Sequence, residues 1–291
     1  MRRRCGSARA AANVSRLQLA MRIPKRNLST EYLSVHGMCA LSADEVLLAC
    51  GDYRLRVVSL HTAQLAAHEP TAILDVWRLA FDAHTDTLLL LVMPPIGDYY
   101  QLVSLRRNAS EWLELQRLDT SLNSELAYMA VCDSRVLLGQ WRSDRVYLYV
   151  FEVSAEGTLR DAGNAALQSE INGVVCTRRD GVTLVALSHD SSVSLLRLTS
   201  LPLRLVPLAS VSLTGPERLL FREDLLLVAD WNRATLSNAI VSFRVSGNAL
   251  TERQVLLDAQ AGVRVDSWAL ASDRLVLWNW KSEELLVYAF T

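Results

Sequence analysis

The sequence predicts an all-β fold: a single β-propeller of six four-stranded blades, the last blade closed by an N-terminal strand. Three observations carry this. First, a polar turn followed by a short apolar run recurs at a fixed spacing. Asp52, Asp98, Asp144 and Asp190 are each 46 residues apart, and two further steps reach Leu236 and Ser282, again in polar turns ahead of apolar runs. A fixed period in this range marks a repeat architecture. Second, a complete period holds four β-branched or leucine-rich runs separated by Asp, Ser, Asn and Gly turns, with no sustained helical period. Four short antiparallel strands per repeat is the layout of a propeller blade. Third, the second run of a repeat is continuously apolar, as in Leu88-Leu89-Leu90-Leu91-Val92 and Leu225-Leu226-Leu227-Val228. A strand covered by a neighbouring blade on both faces has no reason to alternate.

Taken in order, the chain opens on a basic head, assigned to residues 1–14. The first 30 residues contain no acid and eight Lys or Arg. That composition fits a mitochondrial transit peptide and equally a disordered basic tail. Ser15 to Ile23 then alternates polar and apolar residues, the period of a strand. The propeller is assigned to 15–291, with blades near 31–74, 75–121, 125–168, 170–214, 216–260 and 265–291. In the third, strands are expected over Leu126–Val131, Arg135–Trp141, Val146–Val153 and Thr158–Leu167, joined by turns at Asp133-Ser134, Arg142-Ser143-Asp144 and Ala155-Glu156-Gly157. The fourth repeats the plan, with Arg179-Asp180-Gly181 as its first hairpin turn. The sixth ends at Thr291 directly after its third strand. One strand is missing there and one is spare at the other end. Closing the ring removes exposed sheet edges, so residues 15–24 are expected to complete the last blade.

Bulk properties narrow the function classes. At 51% apolar and 21% charged residues, the chain reads as a soluble globular protein. A net charge of −1 supplies no global field toward nucleic acid or acidic lipid. The five cysteines form no C-x-x-C pair, and four lie in strand-like runs, so free thiols in a reducing compartment are expected. The longest apolar run, Thr87 to Ile96, ends in Pro94-Pro95 and is too short to span a bilayer. The expected address is cytoplasm or nucleus, with mitochondria left open by the basic head. The expected state is a monomeric domain within a complex, without membrane association and without nucleic acid.

The layout resembles the WD-repeat and related propeller families over nearly the whole chain past residue 30. The resemblance is one of pattern. The Gly-His and Trp-Asp dipeptides of WD repeats are absent from their usual places, and Asp230-Trp231 stands in reversed order at the end of a second strand. It implies a fold and carries over no activity.

No catalytic signature is present: G-x-S-x-G, H-E-x-x-H, G-x-x-x-x-G-K-[ST] and G-x-G-x-x-G are all missing. His189-Asp190-Ser191 holds the residue types of an acyl-transfer triad, but adjacent residues in one turn cannot take up its geometry. Two patterns remain. The first is a carboxylate at the start of each innermost strand: Glu31, Asp75, Glu125, Glu170, Glu217 and Asp266. In a propeller these face the mouth of the central channel, where oxygen ligands suit Ca²⁺. Six-bladed propellers of the gluconolactonase type, which this pattern resembles, hold a metal with acids and Asn at comparable places, and Asn172 lies near Glu170. The second pattern is aromatic. Tyr53, Tyr99, Tyr100, Trp141, Trp231 and Trp280 fall between second and third strands, and Trp77 and Trp268 at the starts of first strands, with Arg54, Arg78, Arg142 and Arg233 in the same regions. Trp, Tyr and Arg on one loop face are the residue types of interface hot spots, and large side chains are equally what fills the gaps between blades. Two functions follow. One is a non-catalytic scaffold binding a protein or peptide through the loop face, with no cofactor. The alternative is a calcium-dependent lactonase or hydrolase using the carboxylate ring.

Overall fold

The computed structural model describes residues 16–28, 34–65, 75–94, 99–108, 111–120, 127–142, 145–200 and 202–291, and the side chains of 127, 141, 142 and 145 lie outside that description. Among the described residues the first strand is β1 (Leu17–Pro24), and the first blade follows as β2 (Val35–Ala40), β3 (Glu45–Cys50), β4 (Leu55–Ser59) and β5 (Gln64–Leu65). The second blade is β6 (Asp75–Asp82), β7 (Thr87–Met93), β8 (Gln101–Asn108) and β9 (Glu111–Asp119). The third is β10 (Ala127–Cys132), β11 (Arg135–Arg142), β12 (Arg145–Val153) and β13 (Leu159–Leu167). The fourth is β14 (Gly173–Arg179), β15 (Val182–Ser188), β16 (Ser192–Ser200) and β17 (Leu203–Ser212). The fifth is β18 (Pro216–Arg222), β19 (Leu225–Asn232), β20 (Ser237–Ser246) and β21 (Ala249–Leu257). The sixth is β22 (Val265–Ala271), β23 (Arg274–Asn279) and β24 (Glu284–Phe290), with β1 as its outer strand.

The six sheets are antiparallel and each has four strands, in the order expected of blades wound from the axis outward. Innermost strands touch around the ring: β2 meets β6 and β22, and β14 meets β10 and β18. The strand positions follow the sequence pattern within one to three residues. The closing strand is also where the alternation placed it. β1 runs antiparallel to β24, from Leu17 opposite Phe290 to Pro24 opposite Glu284. Its inward residues Leu17 and Ile23 are buried.

The core is six apolar clusters, one at each seam between blades. A single second strand feeds two of them. Leu88 and Leu90 of β7 face blade 1, whereas Leu89 and Leu91 face blade 3. Strand alternation, normally a contrast of inside and outside, here divides one strand between two interiors.

Near the axis the blades crowd. Gly173 opens β14, and a Cβ there would sit 2.6 Å from the Glu217 carbonyl oxygen of blade 5 and 2.8 Å from Ser188 Oγ. Backbone cannot yield as a flexible side chain can. Gly173→Ala is therefore expected to lower stability by about 1–3 kcal/mol, the usual cost of overpacking. A denaturant titration reads this as a lower midpoint with an unchanged slope; an unchanged midpoint would contradict the close approach of the two blades.

Candidate functional site

Two rings of loops share one face of the propeller, because β3 ends opposite the start of β2: Val35 pairs with Cys50, and β4 begins at Leu55. The same hairpin geometry repeats in the other blades. We call this the strand-start face.

The six innermost strands enclose a central cavity of about 300 Å³. Its polar residues include His36, Arg78, Tyr128, Glu217, Arg218 and Asp266. Arg78 has some water contact inside the cavity but protein on almost every side. Its Nη1 donates to the carbonyls of Trp77 (2.7 Å) and His36 (3.3 Å), and its Cζ lies 5.9 Å from the Tyr128 ring centroid. Burial, and then the neighbouring charge of Arg218, lower the Arg78 guanidinium to about 10. Burial raises Tyr128 in turn. Arg218 donates through Nε to the Asp266 backbone oxygen at 2.9 Å and approaches its carboxylate at 3.9 Å.

Of the six predicted metal ligands, Glu31 and Glu125 lie outside the described residues. Asp75 and Asp266 are half-buried and Glu170 is exposed. Glu217 accepts a 3.4 Å bond from Asn238 Nδ2. Asn172, placed beside Glu170 by the sequence, donates to Asp190 at 3.1 Å. Among the described residues no three His, Cys, Asp or Glu side chains come together as a metal site, and two guanidiniums share the mouth with the acids. The lactonase reading finds no support in this arrangement. His189 is equally committed, its Nδ1 lying 2.8 Å from the Glu170 carbonyl oxygen and 2.9 Å from Ser169 Oγ.

The predicted aromatic set divides. Tyr53, Tyr99 and Trp280 stand out of the strand-start face, each at least half exposed at 57%, 50% and 52%. Tyr100 and Trp268 are instead buried in the seams, and are removed from the partner-facing set: Trp268 Nε1 donates to the Leu219 carbonyl at 3.3 Å, and Tyr100 packs edge-on to Trp77 at 5.9 Å. Their strands start at this face, but both sides of a blade are apolar seams, so a large side chain there turns inward. Trp77 is half-buried against the same seam. The side chains of Trp141 and Arg142 lie outside the described residues.

One part of the face joins blades 5 and 6. Arg264 lies over the Trp231 ring at 5.0 Å and the Trp280 ring at 4.8 Å. The backbone around it is fixed on both sides. The Val263 carbonyl accepts from Asn238 N (2.7 Å), Arg264 N donates to Asn279 Oδ1 (2.9 Å), the Arg264 carbonyl accepts from Trp280 N (3.1 Å), and Val265 N donates to Asn238 Oδ1 (2.8 Å). Asn238 and Asn279 are buried; their Oδ1 atoms accept from this loop, while their Nδ2 groups donate to Glu217 and Ser282. Neither they nor Arg264 were among the residues the sequence singled out. The available signal was an Asn in each of two otherwise apolar strand regions, since a buried amide must find partners.

No family model and no curated protein sequence matches the chain. Solved structures do. The β-propeller domain of Cps50 (Swd1) from Myceliophteria thermophila is 11% identical, with 89% of this chain and 83% of that one covered and a TM-score of 0.55. The WD40 β-propeller domain of Doa1 is 10% identical, covers 95% and 98%, and gives 0.57. A chain of a nidogen/laminin complex is 13% identical, covers 81% and 84%, and gives 0.56. At these identities the likeness is one of fold: the chain is built as a WD40-like propeller. Among the described residues no helix is long and apolar enough to cross a membrane.

Proposed function

We propose that the protein is a non-catalytic scaffold that binds a protein or peptide through its strand-start face. The observation that carries this reading is where the exposed apolar side chains lie. Of seven large ones among the described residues, Tyr53, Tyr99, Leu236 and Trp280 sit in the loops between second and third strands; Leu19, Leu113 and Val255 sit on outer strands, and none on the turns of the opposite face. Exposed apolar groups concentrated on one face, with Trp, Tyr and Arg among them, mark interaction surfaces. The fixed loop at Arg264 adds preorganisation, which lowers the entropy lost on binding. One similar fold comes from a complex of two named proteins, nidogen and laminin.

Affinity capture from a lysate, quantified by mass spectrometry, tests the face. Trp280→Ala and Tyr53→Ala together are expected to reduce recovery of specific partners at least about tenfold, the loss of about 1.4 kcal/mol. Leu113→Ala on an outer strand is expected to leave recovery unchanged. Equal recovery by all three proteins would exclude the face.

A further inference from the structure

We propose that the blade 5–blade 6–blade 1 sector of this face docks an acidic segment of the partner protein, whose Asp or Glu carboxylates pair with Arg264. This rests on the reading of the face as the binding surface and names the chemistry that surface takes.

Charge bookkeeping on the sector carries the inference. Its acids are occupied. Asp52 is held by both Nη atoms of Arg56 at 2.7 and 2.5 Å. Asp230 accepts from the backbone N–H groups of Thr214 and Gly215, and Asp258 from Gln260 N. Glu283 pairs with Lys25 at 3.0 Å, and Asp266 faces Arg218. Its cations are not. Arg54, Arg233, Arg264 and Lys281 are exposed, and among the described residues none has a carboxylate within ion-pair distance. Asp230 and Asp258 keep their charge against backbone donors, so four cations without a carboxylate, set against these two acids, still leave a surplus of positive charge on the sector of a protein whose net charge is −1.

Arg264 is the group fitted to recognise a carboxylate. Rings meet a guanidinium on its face, so its N–H donors, which lie in the plane, stay at the edge for a two-point bond to a carboxylate. The four backbone bonds hold the base of the side chain, and the Trp231 and Trp280 rings lie against its head, before any partner arrives. The surroundings favour an acidic peptide over a nucleic-acid backbone. Leu236 is 61% exposed and Trp280 52%; a peptide can cover them with apolar side chains between its acids, whereas a sugar–phosphate chain would leave Leu236 wet.

The test uses the full chain and a fluorescein-labelled peptide of alternating Glu and Leu, with its Gln/Leu counterpart as control. The Glu/Leu peptide is expected to bind, to weaken as salt rises, and to lose at least about tenfold in affinity with Arg264→Gln, about 1.4 kcal/mol. Arg204→Gln removes the same charge from an exposed outer-strand position and is expected to change affinity little. The melting temperature of Arg264→Gln, an exposed position, is expected to match wild type. No binding of the Glu/Leu peptide, equal binding of the Gln/Leu peptide, or equal weakening by both substitutions would overturn the proposal. Preferential binding of a labelled oligothymidylate would assign the patch to nucleic acid and overturn it too. If capture still depends on Trp280 and Tyr53 while the peptide results fail, the face stands and its acidic partner falls.

Discussion

Removing residues 1–24 is expected to lower the melting temperature by about 10 °C or more and to make the protein prone to aggregate. β1 supplies the outer strand of blade 6, pairing with β24 along its length. It also buries Leu17 at 3% exposure and Ile23 at 0% in the seams on either side of that blade. Losing two such side chains costs about 3–6 kcal/mol at 1.5–3 kcal/mol each, and about 1 kcal/mol moves the midpoint of a chain this size by roughly 2–4 °C. Deletion further leaves β24 as an unpaired edge, a template for strand addition between molecules. The ion pairs at its end, Arg22–Glu284 and Lys25–Glu283, each 3.0 Å, are partly exposed and add little. Ile23→Asp separates the strand from the residues before it, and is expected to shift melting in the same direction by a comparable amount. Calorimetry on both variants decides. A melting temperature within a degree or two of wild type for the deletion would mean that the ring does not depend on this latch.

The blades could be read from the sequence because the 46-residue period is imposed by geometry: each blade fills one sixth of a ring, so its strands and turns recur at nearly constant length. Blades 3 and 4 are marked most sharply, since their hairpin turns carry Asp133-Ser134 and Asp180-Gly181, with Asp133, Ser134, Asp180 and Gly181 all at positive φ. In blade 1 the described part of the outer strand is Gln64–Leu65.

The site was legible in kind and not in detail. Tyr53, Tyr99 and Trp280 could be placed on the face because they sit in loops between second and third strands, although Tyr100, beside Tyr99 in one of those loops, enters a seam. Tyr100 and Trp268 could not be separated from them. Parity along a strand tells inside from outside only when one side is water, and in a blade both sides are core. Arg264 left no mark at all. Its partners are Trp231, near the end of β19, and Trp280, in the turn after β23, and only the packing of blade 5 against blade 6 brings all three together.

Leu90→Asp is expected to abolish folding at 37 °C, and the reason is the closed ring. Leu90 is fully buried in the seam between blades 1 and 2. The substitution forfeits about 1.5–3 kcal/mol of apolar burial and places a carboxylate in a cluster of apolar side chains, at several kcal/mol more. That sum consumes most of a domain's usual margin of about 5–15 kcal/mol. Leu89→Asp strikes the next seam from the adjacent residue of the same strand and is expected to be equally damaging. In an open solenoid, a broken seam lets one end unravel while the rest survives. Here every blade is held by two seams, and the last blade is held by the first residues of the chain as well as the last. Opening one seam therefore releases the whole ring, so unfolding should be a single transition, and a milder variant such as Leu90→Ala should show one lowered melting event by calorimetry and by tryptophan fluorescence alike. Two separate transitions, or a soluble Leu90→Asp protein melting near wild type, would mean that the seams bear stability independently and that closure contributes nothing.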